Sequence, residues 1–345
     1  MQLTMDRDVS CGRGNESKKT EPLVSVVTPF FNTADHLAEC IQSVIKQTYE
    51  NWEYILVDNC STDGSVEIAE TLAASDGRVR LIRETEFLGQ VENYNRALRY
   101  IAPESKYCKI VQADDWIYPR FLAEMVVAAE SDENVALVSS FVLLGDRVIH
   151  GGLSLSRGPI YSGREAVRCQ LLGKGLFGSP TNVLYRSTYV RSKNHFYATD
   201  IPHCEDSQVC FEILYNRNFG FIPQVLSFSR CDNASTWGGI ERYYPSRLHD
   251  VMFVRRFGPL FLDAMDLAAR TRQVEDIFYD VLARGFLRRY GPDFWNFHEQ
   301  GLRSVDLKIS YLKVFLRVCS IVLDAAFNPK RTIESLLRRL TSMKV

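Results

Sequence analysis

The chain has 345 residues, 46% of them hydrophobic and 24% charged, with a formal net charge of −1. This is globular composition, long enough for a sizeable core, and it lacks the overall basic field that draws nucleic acid. The nine cysteines, at 11, 40, 60, 108, 169, 204, 210, 231 and 319, are odd in number and include no C-x-x-C pair. They read as buried reduced thiols of a cytoplasmic chain, not as a disulfide framework or a zinc site.

Residues 1–20 are polar and lack the apolar core of a signal peptide, so a disordered lead-in is expected there. "LVSVVTPFFN" (23–32) is an apolar, β-branched run that suits a strand buried on both faces. Thr33 is placed to cap the next helix, whose Leu37, Cys40, Ile41, Val44 and Ile45 share one face. Strands then follow at 54–59, 79–84, 107–113 and 135–144, and helices at 65–74, 89–101 and 118–130. Strand and helix alternate with short connections, which predicts an α/β fold with a mostly parallel sheet flanked by helices. Ligands of such sheets gather at the carboxyl ends of the strands. Pro29–Asn32, Asp58–Asn59 and Asp114–Asp115 fall at those ends.

After residue 145 the pattern changes. Residues 151–160 are glycine-rich, 181–186 and 220–230 read as strands, and 204–218 reads as a helix led by Glu205 and Asp206, where the helix dipole favours carboxylates. From about 240 onward the chain reads as helix, with breaks at Gly258-Pro259 and Gly291-Pro292. The apolar stretch 307–327 is interrupted by Lys308, Lys313, Arg317 and Asp324. No run of 18 or more uncharged apolar residues occurs, so no membrane span is predicted. The tail reads either as a basic amphipathic helix on anionic lipid or as helices packed on the preceding domain.

Asp114 and Asp115 form the most informative pair. An isolated Asp-Asp is usually a solvated turn. At a strand end facing other acids it also suits Mg²⁺ or Mn²⁺, which take one or two carboxylates and complete their shell with substrate phosphates. Glu205 and Asp206 can merely complement a helix dipole, or supply a general base. The six histidines show no ligand spacing.

The ordered set "VSVVTPFFN", "SVIKQTY", "WEYILVDNCSTDGS", "LGQVENYNRAL" and "QADDWIYP" resembles glycosyltransferase family 2, the inverting transferases of GT-A (Rossmann-like) fold, over roughly residues 22–235. The resemblance implies three regions: the lead-in, a GT-A domain over 21–238 (donor half 21–145, acceptor half 146–238), and a helical C-terminal extension over 239–345. It implies nucleotide-sugar binding by Pro29, Phe30, Phe31, Asn32, Asp58, Asn59, Asn95, Asp114 and Arg230. It implies Mn²⁺ or Mg²⁺ as cofactor on Asp115 and Asp114, with Asp114 also toward the ribose or donor sugar. It implies Asp206, paired with Glu205, as the base that takes the acceptor hydroxyl proton.

Three positions depart from the family's usual pattern: Asn59, Gln112 in place of a third carboxylate, and Asp232 where a histidine is common. The activity expected is metal-dependent, inverting transfer of a sugar from a nucleotide diphosphate, UDP above others, to a hydroxyl of a glycan or lipid-linked glycan, as in cell-surface polysaccharide biosynthesis. The chain is then expected in the cytoplasm, peripheral to the cytosolic membrane face. A non-catalytic nucleotide-sugar-binding subunit of the same fold is the alternative. A nucleotidyltransferase is disfavoured, because no glycine-rich basic loop ends the first strand.

Overall fold

The computed structural model describes residues 21–149, 158–198, 203–231 and 239–328. The expected lead-in, most of the glycine-rich stretch, Asp232 and the last basic segment lie outside them. The chain opens with β1 (Val24–Phe30), α1 (Ala34–Ile45), β2 (Trp52–Asp58), α2 (Ser65–Ala73), β3 (Val79–Arg83), α3 (Gln90–Ala97) and β4 (Tyr107–Ile110). Here the β–α alternation does what its sequence predicts. β1 is buried along its whole length and pairs in parallel with β2 on one side and β4 on the other, and β2 pairs in parallel with β3.

Successive side chains of these strands feed two cores, as a period of two requires. Val26 and Leu56 face α1 and α4 (Phe121–Glu130), while Val27, Ile55 and Val57 face the opposite core.

Beyond β4 the sheet becomes mixed. The later strands are β5 (Trp116–Ile117), β6 (Val135–Leu144), β7 (Arg147–Ile149), β8 (Ile160–Ser162), β9 (Val183–Arg186) and β10 (Asn218–Ser229). The order is β3-β2-β1-β4-β9-β6-β10-β5, with β7 beside β6 and β8 beside β10. β9 is antiparallel to both β4 and β6, whereas β6 and β10 run parallel. The parallel expectation therefore describes β1 to β4. Local pattern marks β9 as a strand, but its direction follows from a chain path that no local pattern records.

The helices of this part are α5 (Gly163–Leu171), α6 (Ser187–Arg191) and α7 (Glu205–Leu214). They are followed by α8 (Pro245–Phe261), α9 (Ala264–Leu287), α10 (Pro292–Arg303) and α11 (Tyr311–Phe327). One apolar cluster runs from Val27 and Ile110 through Phe211 to Met252, Phe278 and Val314, so the C-terminal helices share a core with the sheet. The break expected at Gly258-Pro259 is not there. α8 carries Pro259 inside its last turn and ends at Phe261, so the helix stops within a few residues of the proline and not at it. The break at Gly291-Pro292 is present, with the proline in the first turn of α10.

Thr33 does not cap α1 with its side chain. The first amides of that helix are met from the loop before α2 instead. Thr33 N–H donates to Ser65 Oγ (2.9 Å) and Ala34 N–H to Asp63 Oδ2 (3.0 Å). "STDG" is thus a cap for a helix 30 residues earlier in the chain, and it fixes the loop at the end of β1.

Candidate active site

The ends of β1, β2 and β4 and the start of α7 border one cleft with three lobes. The first, about 700 Å³, is bounded by Phe31, Asn59, Phe87, Asn93 and Asp114. The second, about 590 Å³, is bounded by Asp114, Asp115, Arg230 and Asp206. The third, about 260 Å³, is bounded by Tyr94, His203, Glu205, Asp206 and His249. Gln112 borders all three. The two acidic pairs, far apart in sequence, therefore face a shared space.

Asp115 is 4% exposed. It accepts from Ser229 Oγ (3.0 Å) and from the Arg230 backbone N–H (3.0 Å). Burial pushes its carboxyl up to about 6, and the neighbouring Asp114 charge adds to that. Hard oxygen donors at a strand end, one of them raised by burial and then by the acid beside it, fit a divalent cation. Among the described residues no third His, Cys, Asp or Glu joins them in a metal-binding group, so the remaining ligands would have to be water and substrate oxygens.

Asp206 stands in the first turn of α7, half-buried beside Glu205. Burial first, and Glu205 second, raise its carboxyl to about 7. It accepts locally, from the Ser207 N–H at 2.6 Å. A carboxylate poised near neutral pH at the edge of a cleft has the properties of a general base.

Phe31 stands 41% exposed at the mouth of the first lobe, edge-on to Phe87 with ring centroids 4.8 Å apart. Pro29 borders the same lobe. Asn32 adopts a left-handed backbone (φ 49°), which asparagine tolerates better than most residues. Its Oδ1 accepts from Thr62 N–H, tying the end of β1 to the loop after β2.

Several expected binding residues have other work. Phe30 is 2% exposed and its ring belongs to the core, because the alternation that exposes Phe31 buries its neighbour. Asp58 is 3% exposed and accepts from Ser61 N–H (2.9 Å), shaping the turn after β2. Asn59 borders the cleft, yet its amide is bonded twice to the backbone of Leu88. Asn95 does not border the cleft lobes. It is buried, donating to Tyr197 O and accepting from Tyr197 N–H, both at 2.8 Å, and so pins α3 to the segment around Tyr197. Arg230 borders the acidic pair, but its guanidinium donates to Asp114 O (3.2 Å) and Glu39 (2.9 Å) and lies over Trp116. That engagement makes it a brace for the aspartates before it is a clamp for phosphate. Arg96 pairs with Glu84 on the helix surface.

Three residues of the site, Tyr94, Phe87 and Lys109, were not singled out from sequence, and Gln112 was noted there only as standing in place of a third carboxylate. Gln112 accepts from Ser179 Oγ (3.1 Å) at the centre of the cleft. Tyr94 reads as an inward helix residue, yet it lies between two lobes. Phe87 belongs to no periodic segment, and an exposed aromatic just before a helix is the one signal it offered. Lys109 is fully buried in β4 and donates to the carbonyls of Pro180, Thr181 and Val183. It thereby holds the segment that carries Thr181, whose hydroxyl accepts from Gln112 N–H (3.1 Å).

A parallel sheet over β1 to β4, a mixed sheet beyond it and flanking helices make up a fold of GT-A type. The family model described as Glycosyl transferase family 2 matches residues 25–192, and those residues form a domain of that family. Glycosyltransferase GlyG of Streptococcus pneumoniae serotype 4 (strain ATCC BAA-334 / TIGR4) is 31% identical over 119 residues, covering 34% of this chain and 39% of that protein. An uncharacterized glycosyltransferase of Haemophilus influenzae (strain ATCC 51907 / DSM 11121 / KW20 / Rd) is 26% identical over 197 residues, covering 56% of this chain and 60% of that protein. This chain thus spans less than two thirds of the length of either relative.

Among solved structures, S. aureus TarS 1–349 in complex with UDP-GlcNAc aligns with a TM-score of 0.58 at 15% identity, over 81% of this chain and 79% of that one. Mannosyltransferase PcManGT from Pyrobaculum calidifontis, in complex with GDP-Man and Mn²⁺, aligns at 0.53 and 18% identity, over 92% and 84%. At these identities the likeness shows the fold.

Proposed function

We propose that the protein is a metal-dependent inverting glycosyltransferase that moves a sugar from a nucleoside diphosphate, UDP above others, to a hydroxyl of a glycan or lipid-linked glycan. The observation that carries this reading is the single cleft with an acidic pair at each side and Gln112 between them. The bound neighbours named above, UDP-GlcNAc in one and GDP-Man with Mn²⁺ in the other, support the donor class and the cation.

In this reading the nucleoside lies in the lobe walled by Phe31 and Phe87, and its diphosphate points toward Asp114 and Asp115. Those two carboxylates would hold Mn²⁺ or Mg²⁺, which when bound neutralises charge gathering on the departing diphosphate. Asp206 takes the proton of the acceptor hydroxyl. The hydroxyl oxygen forms its bond to the anomeric carbon as the bond to the diphosphate oxygen breaks, and the leaving group keeps that electron pair. Attack opposite the leaving group inverts the centre in one step, so no nucleophilic side chain is needed. Gln112 and Tyr94 line the passage between donor and acceptor and keep it narrow.

The acceptor side supports a membrane-linked substrate. Leu312, Phe315, Leu316, Leu323 and Phe327 of α11 are each more than half exposed and share one side of the helix, while Lys313 and Arg317 turn inward to Glu275 and Asp280. Such a face suits peripheral contact with a lipid surface. No helix among the described residues is long and apolar enough to cross a membrane.

The test is a donor panel of UDP-, GDP- and TDP-sugars with purified protein, scored for nucleotide release with and without Mn²⁺ or Mg²⁺. Metal-dependent release from one donor class is the expected result. Donor binding without transfer to any of a broad acceptor panel would instead make the protein a nucleotide-sugar-binding subunit.

A further inference from the structure

The nucleoside lobe contains an amide without a partner. Asn93 is 5% exposed on α3 and borders the lobe. Its Oδ1 is shut off from solvent and meets no hydrogen-bond donor among the described residues, and no bond of its Nδ2 is present there either. A buried polar group left in this state costs free energy unless something completes it. The two asparagines around it are fully engaged. Asn95 is bonded to Tyr197 from both sides, and Asn59 to Leu88 from both sides at 2.9 Å.

The Asn59–Leu88 pair has a consequence for the wall of the lobe. Leu88 follows Phe87, which stands 58% exposed and leans edge-on against Phe31. Asn59 mimics a backbone strand edge and fixes the loop from which Phe87 projects. α3 begins two residues after Leu88, so its start is held by Asn59 and its far side by Asn95. Asn93 therefore sits on a helix clamped at both ends, with two aromatic rings at the mouth of its lobe.

We propose that Asn93 is the residue that reads the base of the donor nucleotide, and that Asn59 acts through Leu88 as a positioning residue for the aromatic wall. This rests on the glycosyltransferase reading above and deepens it. An asparagine amide offers an acceptor beside a donor, and it pairs with a base edge that offers N–H beside C=O, as uracil does at N3 and O4. The terminal torsion of asparagine is soft and roughly two-fold, so the amide can turn its oxygen to the lobe when a ligand arrives. Asp58 is tied into the turn after β2, and the Asn59 amide is occupied by Leu88. Of the amides that border this lobe, that of Asn93 is the one whose oxygen is buried and without a partner among the described residues.

The experiment is calorimetric titration of the full chain, with Mn²⁺ present, using UDP, N3-methyl-UDP and inorganic pyrophosphate. Wild type is expected to bind UDP about tenfold more tightly than N3-methyl-UDP. Asn93→Ala is expected to bind both nucleotides alike, at the weaker level, with pyrophosphate unchanged. Asn93→Asp, which keeps the shape and loses the donor, is expected to weaken UDP and leave pyrophosphate unchanged. Asn59→Asp, which loses its bond to Leu88 O, is expected to weaken UDP and N3-methyl-UDP by the same factor. Persistence of the wild-type preference in Asn93→Ala overturns the assignment, and so does a wild type that does not distinguish the two nucleotides. Equal loss of UDP and pyrophosphate in Asn93→Ala also overturns it, since that marks a structural role. A wild type that binds no nucleoside diphosphate removes the donor reading itself, which is a different failure.

Discussion

Two pairs of adjacent carboxylates face the cleft, and their surroundings differ. Asp115 is held by groups from a distant strand end, Ser229 and the amide of Arg230. Asp206 has the amide of the next residue. Both are raised by burial and by the acid beside them, to about 6 and about 7. Asp115 is clasped by two donors that favour its charged form, which suits holding a cation. The loosely held acid at a helix start can exchange a proton near neutral pH, which suits a base. The same two letters of sequence type thus become different instruments through what packs around them.

The comparison breaks most visibly at the base. Asp206→Asn is expected to lower transfer by two to four orders of magnitude while donor affinity stays within about twofold, measured by turnover and by titration calorimetry. If both fall together, Asp206 holds donor and the division between the pairs is wrong. Asp115→Asn is expected to do the converse, weakening metal-dependent UDP binding by at least about tenfold. Pairing of that loss with unchanged metal-free binding would sharpen the assignment.

Smaller effects probe the periphery. Leu312→Glu with Phe315→Glu on α11 is expected to reduce binding to anionic vesicles about tenfold with donor hydrolysis unchanged, as read by co-sedimentation. Phe87→Ala is expected to weaken UDP about fivefold without altering the turnover number.

The pH response gives the smallest signal and the clearest sign. The folded-state carboxyl of Asp206 is raised above its unfolded value, so the folded chain binds that proton more tightly. Its contribution to stability is present below about pH 4 and is lost as pH rises through about 7. Asp206→Asn should therefore melt a few degrees above wild type at pH 8, and the gap should narrow below pH 7 and close by about pH 4. Wild-type turnover should climb through about pH 7 as the base deprotonates. A melting gap that widens toward acid pH would contradict the raised carboxyl.

By itself the sequence determined the parallel β–α alternation from β1 to β4. β-branched runs bounded by turns, alternating with amphipathic helices at short spacing, leave few arrangements other than parallel strands with ligand groups at their carboxyl ends. Phe31, Asp114 and Asp206 were legible at that level because their place at an element end is local information. Tertiary structure decided the rest. Both Phe30 and Phe31 border the cleft, and which of the two rings stands exposed there depends on which face of β1 the core takes. The use of Asn59, Asn95 and Arg230 depends on partners 29, 102 and up to 191 residues away. The direction of β9 and the buried ammonium of Lys109 depend on a chain path that returns between β4 and β6. Spacing along a chain fixes which side chains can share a face. What each polar group is bonded to is fixed by contacts between segments that the spacing does not encode, and that decides which residues remain available for a ligand.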